Sequence, residues 1–506
     1  MTAKKKPTKK KASRTTGKTA VAKVIEEVIE DVHLAEIAET MYYDYALEVI
    51  EQRAIFATVD GLKPVARRIL WAAYEGGFRA DSRYVKAAKI SGDTMGNYHP
   101  HGDSSIYEAM ATAVHAPLPM IDGSGNWGTM LDNPAAARYT EARLSTYSEQ
   151  VFFDKFYLPC IDFVSNYDES RKEPLLLPAL FPNALVNGNF GVAPGVQAST
   201  PAVVFDTLVK ALTLSIKKGE ATIDTCKGID MMTTYGGRLH QSDTLKADMK
   251  RFLQTGQASF LFIPTYRELN SHSIRIEGFP TSSVAKALEK IAKIKGVAGV
   301  RDDSSKHDRN VAYVVNFQKS YHSHDLTNVK AQVVRAFAAN VRYEMQVTNR
   351  FLNEAGEPES KLQPTTIPKV INSWLEYRVA LEKRACKYWI EKRQIDIARL
   401  ELMVLAVDNR DFIIKALGKK LDDDELAKYL AKGLKITVEQ ANAILDMKIR
   451  SLKALEKDKL LKQIKERKTD IKEFKGRIAK PLDYILGHVT EMAKKIAKAH
   501  ASVTLQ

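Results

Sequence analysis

A chain of 506 residues is too long for one hydrophobic core, and with 45% hydrophobic and 27% charged residues it has the composition of a globular protein with roughly three domains. Its 76 Lys+Arg against 61 Asp+Glu leave a net charge of +15, which points to a polyanion or an acidic surface as partner. Three widely separated cysteines (Cys160, Cys226, Cys386) exclude a disulfide scaffold and a Cys-based zinc site and suit a reducing cytoplasm, while no stretch reaches the roughly 18 uninterrupted apolar residues of a membrane helix.

Residues 1–25 carry nine Lys/Arg and no acid. With almost no large apolar residue to bury, this segment is expected to be a disordered basic arm that neutralises phosphates, or else a solubilising or targeting tail. From Glu26 to about Gln150 the pattern is helical with short breaks. An amphipathic stretch at Glu26–Arg53 is followed by the turn Asp60-Gly61-Leu62-Lys63-Pro64 and a helix over Val65–Tyr74. Two more short helices lie between Gly/Pro turns, as in helix-turn-helix or winged-helix DNA binders.

Residues 171–365 change character. Strands are expected at Ser259–Pro264, Ser273–Pro280 and Asn310–Phe317, with helices at Val284–Lys295 and Asn328–Asn340, making an α+β domain. Residues 366–506 are helical again. Trp374, Leu381, Tyr388, Ile395 and Leu402 recur at seven-residue steps, the seam of a coiled coil, with Arg378, Lys392 and Arg399 among a patchy companion seam. A second long helix, about Leu455–Phe474, and a helical insert at Asp422–Ile449 complete an antiparallel hairpin with a head that needs a partner surface. The fold class is therefore multidomain α+β.

Several motifs compete for a chemical role. Gly123-x-Gly125-x-x-Gly128 matches a dinucleotide fingerprint, but Pro117-Leu-Pro119 precedes it and Pro134 follows, so it is read as a Gly-rich surface loop. No Walker-type ATP motif occurs. His99-x-His101 and His322-x-His324 have metal-like spacing without a cysteine to close a site, and no metal is assigned to the chain. Asp422-Asp423-Asp424-Glu425 is expected to cap a helix. In Ala137-Arg138-Tyr139-Thr140-Glu141-Ala142-Arg143, a phenol adjoins a guanidinium. A phenol is mostly protonated at neutral pH, so attack on phosphorus needs nearby cations, and Arg53, Arg67, Arg68, His99 and His101 lie in the same predicted domain.

Tyr45–Ile50, Asp60–Val65, Tyr98-His-Pro-His-Gly-Asp-Ser104 and Ala137–Arg143 resemble the breakage–reunion core of the A subunits of bacterial type IIA DNA topoisomerases, gyrase and topoisomerase IV. Leu185-Val-Asn-Gly188 with Gly191-Val-Ala-Pro-Gly195, Val297–Ser304 and Glu439–Asp446 extend the likeness over about residues 35–490. The resemblance implies a winged-helix (CAP-like) cleavage domain at 26–170, an α/β tower domain at 171–365, and an antiparallel coiled coil with a globular helical C-gate at 366–506.

It also implies roles. Tyr139 would join the 5′ phosphate, Arg138 would stabilise charge on the scissile phosphate, and His99 and His101 would flank the site, one of them protonating the departing 3′ oxygen. Arg53 and Arg68 would reach the active site or grip DNA. Lys63, Arg67, Lys86 and Lys89 would contact DNA, and Val192, usually isoleucine in the family, would be the apolar wedge that bends it. Ser104 and Glu108 would fall where quinolone drugs approach. Ala66, Ser124, Trp127 and Pro194 depart from the family pattern.

The implied activity is ATP-dependent passage of one duplex through a transient double-strand break in another. Mg²⁺ and ATP would both reside on a separate B-type ATPase/TOPRIM subunit, docked near Glu26–Ile50, in an A2B2 heterotetramer built on a homodimer of this chain. With little sequence after the second long helix, and so no DNA-wrapping domain expected there, relaxation or decatenation is expected in a bacterial or phage-infected cytoplasm. Gyrase-like supercoiling with a partner, a non-catalytic dimeric DNA-binding scaffold and a self-sufficient tyrosine recombinase are the alternatives.

Overall fold

The computed structural model describes residues 34–129, 132–305, 311–321, 323–446 and 457–504, so the basic arm lies outside the described residues. The chain from Ala46 to Gln506 forms one compact unit and the residues before it another. Helix α1 (Leu34–Val49) is followed by a π-helical turn at Ile50–Ala54.

Asp60 and Gly61 dictate how α2 (Pro64–Glu75) begins. The buried Asp60 carboxylate accepts hydrogen bonds from the backbone N–H of Leu62 (3.1 Å) and of Leu177 (3.0 Å), and from Arg67 at 2.6 and 2.9 Å. Gly61 sits at φ +64°, where an added Cβ would lie 2.1 Å from the Ala184 nitrogen, so only glycine fits. Pro64 then opens the helix at a position that needs no N–H.

Helices α3 (Ala87–Asn97) and α4 (Asp103–His115) pack with α2. Beside them lies an antiparallel sheet of β1 (Val85–Lys86), β2 (Ile121–Ser124) and β3 (Glu141–Leu144), in the order β1-β3-β2. The glycine triplet begins inside β2 and continues into irregular chain rather than a helix, as the loop reading expects. Its anchor is the buried Trp127, whose indole N–H reaches the carbonyls of Ser124 (3.2 Å) and Glu141 (3.1 Å). After α5 (Thr146–Phe152), β4 (Phe163–Ser165) and β5 (Lys172–Pro174) form a hairpin.

The middle of the chain is α+β, as expected. A seven-stranded sheet runs in the order β6-β7-β16-β11-β10-β9-β8, from β6 (Asn189–Ala193), β7 (Val196–Thr200), β8 (Ala202–Val203), β9 (Met231–Met232), β10 (Arg238–Leu239), β11 (Gln257–Ile263) and β16 (Ala339–Glu344). Around it are α6 (Asn183–Asn187), α7 (Phe205–Lys218), α8 (Ile223–Cys226) and α9 (Leu245–Thr255). Phe260, Phe262 and Tyr343 face the core with Phe252 of α9, while Gln257, Ser259 and Arg342 line the opposite, exposed face.

A second sheet, β12 (Thr265–Asn270), β13 (Ser273–Glu277), β15 (Ala312–Phe317) and β14 (Val297–Asp302), has its own core under α10 (Val284–Ile291) and α11 (Ser323–Phe337). A hairpin of β17 (Gln346–Leu352) and β18 (Pro358–Pro364) follows. The three predicted strands are β11, β13 and β15.

Helix α12 (Ile367–Asp408) is capped by Thr366, whose hydroxyl accepts from the Lys369 N–H. It pairs antiparallel with α16 (Lys457–Ala479), as the ion pairs Glu382–Arg477, Asp470–Arg393 and Asp408–Lys457 require. Between them α13 (Arg410–Leu417), α14 (Asp423–Leu434) and α15 (Val438–Leu445) make a head with its own core of Ile413, Leu426, Leu430 and Ile444. Asp422 caps α14, as expected, by accepting from the Glu425 N–H at 2.7 Å.

One expectation needs correcting. The seven-residue seam does not run the length of α12: Trp374 and Leu381 are buried, but Ile395 is 63% exposed. Arg378 of the companion seam is buried, as is Ala385 seven residues on, and towards the far end the buried positions are Ile397 and Ala406. The chain also adds α17 (Pro481–Thr504), which the sequence pattern did not reveal, and packs its Ile485, Val489 and Ile496 against α7. One core accordingly runs from Leu177 and Phe260 through Trp374 to Val489, across positions 170 and 365. Among the described residues no helix is long and apolar enough to cross a membrane.

Candidate active site and nucleic-acid interface

Tyr139 sits in a turn between β2 and β3 that is fixed on both sides. Its N–H donates to the Ala136 carbonyl at 2.8 Å, and the first amides of α3 donate outward, Ala87 to the Thr140 carbonyl (3.0 Å) and Ala88 to that of Ala137 (3.1 Å). Those amides have no partner within their own helix, so the turn satisfies the helix and the helix holds the turn. Underneath, the Tyr107 hydroxyl lies 2.8 Å from the buried Thr140 hydroxyl and donates to the Ala135 carbonyl. The Tyr139 ring stands out from this pinned backbone, 65% exposed, with the Arg138 guanidinium 4.7 Å from its centroid. Among the described residues its hydroxyl has no hydrogen-bond partner.

A second cluster forms beyond the C-terminus of α3. Arg68 grips Glu173 with two hydrogen bonds of 2.8 Å and directs its remaining nitrogen to Nδ1 of His99 at 3.0 Å. A guanidinium only donates, so His99 Nδ1 accepts and the ring proton sits on Nε2. His99 is buried and stacks on His101 with centroids 4.4 Å apart. Burial, reinforced by the charges of Arg68, His101 and Arg53, pushes the His99 pKa down to about 4, so the ring is neutral at physiological pH. Arg53 is exposed at the end of the π-helical turn.

The two clusters are not one. Tyr139 is held at the start of α3 and His99 follows its end, and eleven helical residues span roughly 16 Å. No hydrogen bond, ion pair or ring contact joins Tyr139 to Arg53, Arg68, His99 or His101 among the described residues. The sequence expectation that these groups surround the phenol is corrected accordingly: within one chain they form two separate clusters.

The expected DNA contacts also divide. Arg67 is buried against Asp60 and the Leu62 carbonyl, so it shapes the Asp60–Pro64 turn instead of meeting a ligand. Arg68 is likewise committed to Glu173 and His99. Lys86 and Lys89 are exposed and paired with Glu141 (2.8 Å) and Asp93 (2.5 Å). Lys63 donates to the Phe190 carbonyl at 2.7 Å, and burial lowers its pKa. Val192 projects from edge strand β6, 60% exposed. Ser104 and Glu108 lie one turn apart on the exposed face of α4, next to His101.

Sequence reasoning missed Glu173 and Phe190. Glu173 lies 105 positions from Arg68 and gave no local signal, whereas Phe190 alternates with Val192 at strand period. Among the described residues no three of His, Cys, Asp and Glu converge to hold a metal ion; the His322-x-His324 pair lies outside the residues whose side chains are described.

The family of DNA gyrase and topoisomerase IV A subunits matches residues 53–489, a span that includes every site residue above. The chain belongs to this family. The DNA gyrase A subunit of Mycoplasma genitalium is 31% identical over 469 residues, covering 89% of this chain and 54% of that protein. Its counterpart in Streptococcus pneumoniae serotype 4 is 31% identical over 470 residues (89% and 55%), and that of Synechocystis 30% over 480 (91% and 54%). The chain thus spans about half the length of these gyrase A relatives.

Proposed function

We propose that this chain is the DNA-cleaving and rejoining subunit of an ATP-dependent type II topoisomerase. The observation that carries the reading is Tyr139, an exposed phenol on a pinned turn beside Arg138, in a chain of the gyrase/topoisomerase IV A-subunit family. The Tyr139 oxygen gives up its proton to solvent as it attacks a backbone phosphorus, the bond to the 3′ oxygen breaks, and that oxygen takes up a proton from solvent while the 5′ phosphate stays on the enzyme. Reversal reseals the strand with no net loss of phosphoester bonds. Arg138 offers its charge to the phosphate oxygens as they gain density.

The separation of the two clusters supports a dimer. With Tyr139 roughly 16 Å along α3 from His99, a phosphate engaged by both is served by two copies, one giving the tyrosine and the other the Arg68–His99–His101 cluster and Arg53. His99 acts there as a neutral Nε2–H donor toward the departing oxygen. In this reading α2–α4 with β1–β3 is the winged-helix domain, the two larger sheets belong to the tower, and the α13–α15 head is the C-gate. Its exposed Tyr429 and Val438 are available to a second copy.

Mg²⁺ and ATP belong to the B-type partner in this A2B2 assembly, where Mg²⁺ supplies charge to the phosphate. The substrate is double-stranded DNA in a bacterial cytoplasm, and the reaction is relaxation or decatenation. Reconstitution with a B-type partner chain, ATP and Mg²⁺ on supercoiled, relaxed and catenated DNA tests it. Unlinking of catenanes and loss of supercoils are expected; introduction of negative supercoils would replace that activity with the gyrase reaction, and no strand passage at all would overturn the proposal.

A further inference from the structure

We propose that Phe190 is a second apolar wedge, acting beside Val192 on the minor groove of duplex DNA; this rests on the DNA-cleaving reading above. Strand β6 is the edge of the seven-stranded sheet, and its burial alternates so that Phe190 and Val192 both face outward, 61% and 60% exposed. A lone exposed hydrophobic residue needs no explanation. Two on one face of one short strand, the larger a phenylalanine with no ring contact among the described residues, call for an occupant.

The strand carrying them is rigid. Between the two wedges, Gly191 lies so close to the π-helical turn that an added Cβ would stand 2.0 Å from the Ala54 carbonyl oxygen. The Lys63 ammonium holds the Phe190 carbonyl at 2.7 Å. Pro194 and Gly195, the latter at φ +71°, close a two-residue turn between β6 and β7 in which proline fixes one torsion and glycine supplies the other. Side chains on such a strand are presented with little ordering left to lose on binding.

The surroundings identify the occupant. Arg53 is exposed in the turn that contacts Gly191, Lys63 lies beneath Phe190, and across the sheet face are Gln197 and Arg342, the latter 3.8 Å from Glu344. Cations and amides flanking apolar side chains fit a polyanion whose interior is stacked and apolar. Phenylalanine is among the side chains that unstack base steps from the minor groove. Residues two apart on a strand are separated by roughly 6.6–6.8 Å, about two base-pair rises. Phe190 and Val192 therefore address steps two apart, sharing one bend between two partial unstackings.

The test uses the full chain with its B-type partner and Mg²⁺ on a short duplex carrying fluorophores at its ends, with 2-aminopurine placed at successive steps. Wild type is expected to bring the ends together and to brighten 2-aminopurine at two steps separated by one. Phe190→Ser should bind DNA within about threefold of wild type, lose half or more of the change in energy transfer, and silence one of the two steps. Phe190→Leu should retain most of the bend. Unchanged melting of both variants, expected for so exposed a residue, separates loss of a wedge from loss of fold. A Phe190→Ser protein that bends DNA as wild type does would overturn the inference. A wild-type protein that neither binds nor bends DNA would instead overturn the reading on which it rests.

Discussion

Arg68 fixes the tautomer of His99. Its guanidinium is anchored on Glu173 by two nitrogens and donates with the third to Nδ1, so the imidazole can only donate through Nε2. Arg68→Ala removes both the anchor and one of the charges that hold the His99 pKa down. Burial, the larger cause, stays, so the His99 pKa should rise only part of the way from about 4. In the variant the acid limb of DNA cleavage should begin at a higher pH than in the wild type, and cleavage at about pH 7.5 should fall by roughly tenfold through loss of the ring's anchor, less than an acid–base group itself supplies. An acid limb that does not move in the variant would show that Arg68 does not act through His99.

The same histidine makes stability depend on pH. Because the folded pKa lies below the unfolded one, the unfolded chain binds the proton more readily, and stability fully present above about pH 6.5 is lost as pH falls toward 4. His99→Gln lacks this titration. The gap between melting temperatures of wild type and variant, followed from about pH 7.5 down to about pH 4.5, should move steadily against the wild type. A gap that stays constant contradicts a neutral, buried His99.

A buried ion pair joins the base of the long helical hairpin to the core. Glu382, fully buried, accepts from Arg477 at 2.6 Å and from the Tyr157 hydroxyl at 2.6 Å. Burial alone would raise its pKa, but the bonds from Arg477 and Tyr157 outweigh it and hold the carboxyl below the usual range. Arg477→Met strands a buried carboxylate and should destabilise the fold by about 3 kcal/mol. Adding Glu382→Met should recover much of that loss, because the pair and its desolvation disappear together. Urea midpoints of the two single variants and the double variant measure this coupling; additive losses would contradict it.

Gly191→Ala tests the seat of the wedge strand. A Cβ there collides with backbone, not with a movable side chain, so β6 must shift away from Ala54. The expected cost is about 1–3 kcal/mol, with DNA bending lost in parallel. A variant as stable as wild type would mean that the strand is not seated on the turn.

The parts of the molecule legible in the sequence were those governed by neighbours along the chain. The Asp60–Pro64 turn, the strands β11, β13 and β15, the capping role of Asp422 and the Gly-rich loop all follow from local propensity and turn chemistry. Long-range partners left no such mark. Arg67 looked available for phosphate because nothing nearby announces that Asp60 folds back on it, and Glu173 became the anchor of Arg68 only through the β4–β5 hairpin. Ile395 kept the heptad count but not the heptad's burial, since a seven-residue repeat predicts a seam only where the helix supercoils to follow it. The separation of Tyr139 from His99 was hidden for the same reason: residues of one domain can still be a helix length apart.

Which side chain becomes joined to DNA is read by mapping the covalent adduct. Wild-type protein with its B-type partner, Mg²⁺ and plasmid DNA is trapped with detergent, digested with nuclease and trypsin, and the modified peptide is sequenced by mass spectrometry. A nucleotide 5′ phosphate on Tyr139, in a peptide ending at Arg143, is the result expected, with no adduct from Tyr139→Phe. An adduct on any other residue, or one that survives in Tyr139→Phe, would contradict the account.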